Sequence, residues 1–154
     1  MKQKKMNKKE KQALSNYIRM AADLLWLRDW DFDVYYENPQ TPERAAAVGQ
    51  EWGAVVEQTR HRQHACITLT PYFRYHPAYQ GNNGKVTIAH ELIHMHWARC
   101  WDQVRVDLLD TDGLAQQTYD LFIANYERNM EYGVDALAEA FAKYLPDIDW
   151  ESND

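Results

Sequence analysis

Apolar residues recur at three- and four-residue spacing over residues 8–27, where Leu14, Ile18, Ala21, Ala22, Leu25 and Trp26 share one face, so a first helix is expected with Asn7 available to cap it. Trp30, Phe32, Val34 and Tyr36 then alternate with Asp31, Asp33 and Tyr35, the period-two pattern of a half-buried strand that stops at Asn38-Pro39. Residues 44–59 mix an alanine cluster with Gly49, Gly53 and Val55-Val56, which we read as a bent strand. His64 to Thr70 alternate and are rich in β-branched residues, so a third strand should end at Pro71. After a loop rich in tyrosine, proline and glycine, Val86, Ala89, Ile93 and Trp97 predict a helix from about Lys85 to about residue 101. A long last helix over 113–145, capped by Asp112 and stopped by Pro146, carries the stripe Phe122, Tyr126, Met130, Val134, Leu137, Phe141, Leu145. The order of elements gives a small α+β domain.

The length of 154 residues allows one domain with a usable core, and 45% hydrophobic with 26% charged residues is ordinary globular usage. The expected division is a Lys-rich tail at 1–11, a single domain at 12–146 and a short tail at 147–154. No stretch reaches the ~18 apolar residues of a membrane helix, and the start lacks the apolar segment of a signal peptide, so a soluble, cytoplasmic protein without a membrane partner is expected. Two cysteines, Cys66 and Cys100, cannot supply a four-cysteine zinc module. The net charge of −6 is uneven: residues 1–11 hold six lysines and one glutamate, and the remainder carries −11. An acidic body repels phosphate backbones, leaving only the lysine tail and Arg60-His61-Arg62 for nucleic acid.

The chemistry lies in His90-Glu91-Leu92-Ile93-His94, an HExxH string inside a predicted helix. Residues four apart on a helix are offset by only about 40°, so both imidazoles can reach one ion, and Glu91, about 60° from His94, can face a water beside it. Chance assembly of the string from this composition is on the order of one to two per cent per chain. Two neutral imidazoles suit Zn²⁺, and a third protein ligand leaves one position open. For that ligand the last helix offers a row at spacing four, Glu127, Glu131, Asp135 and Glu139, whose like charges repel by roughly 0.2–0.5 kcal/mol per pair unless a cation is near. His96 lies about 200° from His94 and cannot share its metal on a regular helix. With Cys100 it forms a second i, i+4 pair, read as a packed histidine and a buried thiol. His61, His64 and His76 show no metal spacing in the sequence.

Here the chain resembles the gluzincin metallopeptidases, in which HExxH is followed by ExxxD; the matching residues are Glu131-Tyr-Gly-Val-Asp135. The resemblance spans roughly residues 28–146, and the element order is similar to that of the minimal members, the SprT-like and ImmA/IrrE-like minigluzincins. It implies a zincin-like α+β domain with an N-terminal helix, a three-stranded, mainly antiparallel sheet, the HExxH helix and a long C-terminal helix. It also implies one Zn²⁺ per chain held by His90, His94 and Glu131, with Asp135 orienting a ligand histidine and Glu91 as the general base of peptide hydrolysis. The partner would be a peptide or protein substrate, and the strand Ala65–Leu69 could pair with it if it lies at the sheet edge. Two alternatives are a non-catalytic, zinc-stabilised interaction module and a regulatory DNA-associated zincin. The absence of a cysteine-rich DNA-binding module and of a helix-turn-helix repeat, together with the acidic body, argues against the second.

Overall fold

The computed structural model describes residues 4–36, 54–59, 63–109 and 116–151. Three helices are described, α1 (Lys8–Leu24), α2 (Asn82–Leu109) and α3 (Gln116–Ala142), with three strands, β1 (Asp31–Tyr36), β2 (Ala54–Thr59) and β3 (His64–Leu69). The expected Asp112 cap, the segment 44–53 and the Arg60-His61-Arg62 cluster lie outside the described residues.

Helix α1 starts with a reciprocal capping box: Asn7 Oδ1 accepts from the Glu10 N–H at 2.9 Å, and the Glu10 carboxylate accepts from the Asn7 N–H at 2.8 Å. Glu10 also accepts from Arg74 Nη1 at 2.6 Å and from the Tyr75 hydroxyl, so the first turn is fastened to the segment before α2. Met6 is buried and its N–H bonds to the Pro71 carbonyl. At the other end, Ile148 and Trp150 pack on the core and Lys85 pairs with Asp147. The packed domain therefore extends beyond 12–146 on both sides.

The stripe Ala13, Leu14, Tyr17, Ile18, Ala21 and Ala22 buries one face of α1. The helix ends in a Schellman-type turn, with Leu27 N–H on the Ala22 carbonyl and Trp26 N–H on the Asp23 carbonyl. Its left-handed position, usually glycine, is held by Trp26 at φ 60°.

The sheet is mixed, with order β1-β3-β2. β2 and β3 form an antiparallel hairpin, while β1 runs parallel to β3 with Phe32 opposite Ala65 and Val34 opposite Ile67. β3 is thus the central strand, so the edge condition for pairing a peptide along Ala65–Leu69 is not met: its main chain is paired on both sides. Ala65, Ile67 and Leu69 point with Phe32 into the core, where they meet α1 and the α2 residues Ile88, Ala89, Leu92, Ile93 and Met95.

Stacked Phe73 and Tyr79 rings lead the chain into α2. The close approach here requires glycine: a Cβ on Gly84 would stand 2.7 Å from the Tyr79 carbonyl oxygen. Helix α2 packs on β2 and on α3. On α3 the buried positions are Val134, Ala138 and Ala142, followed past the helix by Leu145. Phe122, Leu137 and Phe141 of the expected stripe stay about 40% exposed. Val134 and Leu145 of that stripe are buried and Met130 packs on the core, and from them the buried face turns toward Ala138 and Ala142. Two forces account for the rotation. Small side chains let the helices close, and Leu137 and Phe141 find apolar company with Leu24, Trp26 and Trp97 in a groove of about 520 Å³.

Candidate metal centre

His90 and His94 project from α2 as the i, i+4 spacing dictates, with ring centroids 4.7 Å apart. Their Nε2 atoms are 2.9 Å apart. Glu131 reaches across from α3 and straddles both, with Oε2 3.4 Å from His90 Nε2 and Oε1 3.5 Å from His94 Nε2. Asp135, one turn on, accepts a hydrogen bond from His90 Nδ1 at 2.9 Å. A carboxylate can only accept, so the His90 proton sits on Nδ1 and the Nε2 lone pair points at Glu131 and His94.

These edges can be tested against a metal. Zinc–nitrogen and zinc–oxygen bonds of about 2.0–2.2 Å in a tetrahedron separate neighbouring ligand atoms by about 3.3–3.6 Å. The triangle of 2.9, 3.4 and 3.5 Å is close to one face of that tetrahedron. The protonation states fit as well. Burial, aided by the neighbouring His90, lowers the His94 imidazole to about 4, so it stays neutral and can offer a lone pair. Burial raises the Glu131 carboxyl, with further push from Asp135 and Glu127, against the pull of His90. A cation between the imidazoles would hold the Glu131 carboxylate ionised and keep the His94 nitrogen unprotonated.

Glu91 is half-buried beside this group. Burial pushes its carboxyl up to about 7, opposed by His90 and by a hydrogen bond from the main chain of Val56. That bond joins the helix to β2, which is an edge strand among the described residues.

Of the acidic row, the structure brings Glu131 and Asp135 to the histidines, whereas Glu127 and Glu139 are exposed and outside the group. His96 faces elsewhere: its Nε2–H donates to the Leu25 carbonyl at 2.7 Å and ties α2 to the end of α1. The Cys100 side chain lies outside the described residues. The hydroxyls of Tyr17, Tyr36 and Tyr75 are engaged by Pro146, by Lys11 and Ser15, and by Glu10. One cluster that sequence spacing conceals is Asp33, His64 and Cys66 on β1 and β3. The alternating His64-Ala-Cys66 was its only trace in the sequence.

No helix among the described residues is long and apolar enough to cross a membrane. Comparison with protein-family models, with curated proteins and with solved structures finds no match to this chain, so the geometry of the centre itself carries the functional argument.

Proposed function

We propose that the protein is a zinc-dependent metallopeptidase of the minimal gluzincin type. The observation that carries the reading is the convergence of His90 Nε2, His94 Nε2 and the Glu131 carboxylate, with Asp135 on the far nitrogen of His90. His90, His94 and Glu131 would hold the ion. When bound, Zn²⁺ supplies Lewis acidity toward a substrate carbonyl and makes water a better nucleophile at neutral pH.

The remaining work falls to the chain's own groups. Asp135 keeps the His90 proton on Nδ1 and fixes the ring, so that Nε2 would be free to hold the ion. Glu91 takes a proton from the attacking water and returns it to the leaving amine. Its link to Val56 keeps the carboxylate from swinging away between these two transfers. Among the described residues β2 is the edge strand packed on α2, and its Val56 bonds to Glu91, so an extended peptide paired along it would pass the proposed base. Three protein ligands with an adjacent carboxylate base fit an open, catalytic site better than a closed, structural one.

The test is Glu91→Gln, which preserves size and removes the base. Digestion of casein or a peptide library should fall by about 10²–10⁴-fold while zinc content and thermal stability stay near wild type. Cleavage at the wild-type rate by Glu91→Gln would overturn the mechanism. Absence of cleavage by the wild type, with zinc still bound, would favour the interaction module.

A further inference from the structure

The outer face of the sheet, away from the core, carries a second constellation of metal-binding side chains. Phe32 on β1 and Ala65 on β3 point inward, so the alternating residues Asp31, Asp33 and Tyr35 stand outward on β1 and His64, Cys66 and Thr68 on β3. The parallel register sets Asp33 opposite Cys66 and Asp31 opposite His64. One carboxylate oxygen of Asp33, one ring nitrogen of His64 and the Cys66 sulfur all lie within 4.8 Å of one another, and His64 Nε2 is 3.4 Å from Asp33 Oδ2. That 3.4 Å equals the separation between His90 and Glu131 in the first centre. The Tyr35 hydroxyl donates to Asp33 Oδ2 at 3.5 Å and steadies the carboxylate from outside the cluster. Cys66 is a free thiol and only partly exposed.

We propose that Asp33, His64 and Cys66 form a second binding site for a divalent transition-metal ion, independent of the His90–His94–Glu131 centre. Adjacent strands stand about 4.8 Å apart, so three side chains on one face of two strands converge over a spot that one small ion can bridge. Thiolate, imidazole and carboxylate together select a borderline ion such as Zn²⁺ over Mg²⁺ or Ca²⁺, which prefer oxygen alone. Binding releases the thiol proton to solvent and leaves the sulfur as an anion on the metal. Asp31, opposite His64 on β1, and Glu57, opposite Cys66 on β2, add negative potential on the same face. Their carboxylates favour a cation there. Such an ion would clamp the parallel β1–β3 pair from outside and would not depend on hydrolytic activity.

The sulfur provides a test that separates the two centres, because only this one contains a thiolate. Full-length protein, purified reduced and without chelators, is titrated with Co²⁺ as the probe. Wild type should take up two equivalents and develop the near-ultraviolet thiolate-to-cobalt charge-transfer band. The His90→Ala, His94→Ala double variant should keep that band with one equivalent, and Cys66→Ser should lose it while retaining the other equivalent. Should Cys66→Ser fail to fold, Asp33→Asn, at an exposed position, should weaken Co²⁺ binding at this site more than about tenfold with the fold intact by circular dichroism. The proposal is overturned by absence of the band in wild type, by its loss in Cys100→Ser rather than Cys66→Ser, or by an unchanged cobalt affinity in Asp33→Asn. None of these results touches the first centre, whose own loss is read in the double variant.

Discussion

Removing Asp135 tests whether the first centre is held in its metal-binding form by the chain. Asp135 touches no proposed metal position; it accepts the Nδ1 proton of His90 at 2.9 Å and thereby keeps the Nε2 lone pair on the metal side. Hydrogen bonds to charged groups contribute about 1.5–3 kcal/mol. The Asp135 side chain is 64% exposed, so water competes and the lower end applies. About 1.4 kcal/mol corresponds to tenfold in affinity. Asp135→Ala should therefore weaken zinc binding by about tenfold, the low end of the 10–100-fold that orienting partners of metal-bound histidines usually contribute. Asp135→Asn keeps an acceptor without the charge and should fall between. The assay is competition against a chromophoric chelator in a Cys66→Ser background, so that only this centre is titrated. Glu127→Ala is the control and should leave affinity within about twofold, because Glu127 lies outside the ligand group. Wild-type affinity in Asp135→Ala, or an equal loss in Glu127→Ala, would refute the reasoning.

Trp26→Gly should raise the melting temperature: Trp26 sits at φ 60° with 81% exposure, so glycine relieves about 1 kcal/mol of left-handed strain, more than the small part of the indole lining the groove contributes, and a lower value by calorimetry would contradict this. For Glu10, burial pushes its carboxyl up, but hydrogen bonds from Tyr75 and Asn7 and the charge of Arg74 outweigh it and leave the group below its ordinary 4.5. The carboxylate's contribution is therefore present above about pH 4.5 and lost as pH falls through the lower folded value, so Glu10→Gln should flatten the acid limb of stability against pH; an unchanged limb in thermal melts would exclude Glu10 as its source. Gly84→Ala should destabilise by about 1–3 kcal/mol, read in urea denaturation, since its Cβ would meet the Tyr79 carbonyl at 2.7 Å; wild-type stability would show that the approach relaxes freely. In a Cys66→Ser background, zinc at about a hundred times its dissociation constant should stabilise the chain by about 2.7 kcal/mol and raise the melting temperature by roughly 5–10 °C, an increment absent once His90→Ala and His94→Ala are added.

What the sequence revealed depended on how far apart the cooperating residues lie. Asn7 and Glu10 are three residues apart, and the capping position of Asn7 was legible because a cap is a local event. His90 and His94 were legible for the same reason: a helix alone brings them together. Glu131 and Asp135 appeared only as members of a repulsive row, and selecting them required either the family resemblance or the packing of α3 on α2. Sheet order was not legible. Alternation identified β1 and β3 as strands, yet nothing local says that β1 joins β3 in parallel and leaves β2 at an edge among the described residues. The cluster of Asp33, His64 and Cys66 depends on that register, so sequence spacing could not reveal it.

The orientation of α3 shows why the longest apolar stripe was a poor guide to the site. Hydrophobicity alone would turn Leu137 and Phe141 into the domain, but large side chains hold helix axes farther apart. Val134 of the stripe makes the contact together with Ala138 and Ala142 from outside it, and these three bring the α3 backbone close enough for Glu131 to reach both histidines. Leu137 and Phe141 do not go wholly to waste, because the groove with Trp26 and Trp97 shields about half of each. The polar pair therefore sits at the solvent edge of the contact, where two imidazoles on α2 give its carboxylates partners. An unpartnered carboxylate there would oppose the packing. The same complementarity would make the proposed centre a coupling point: an ion shared by His90, His94 and Glu131 would join α2 to α3 beside the small buried side chains Val134 and Ala138, adding directional bonds to an apolar contact.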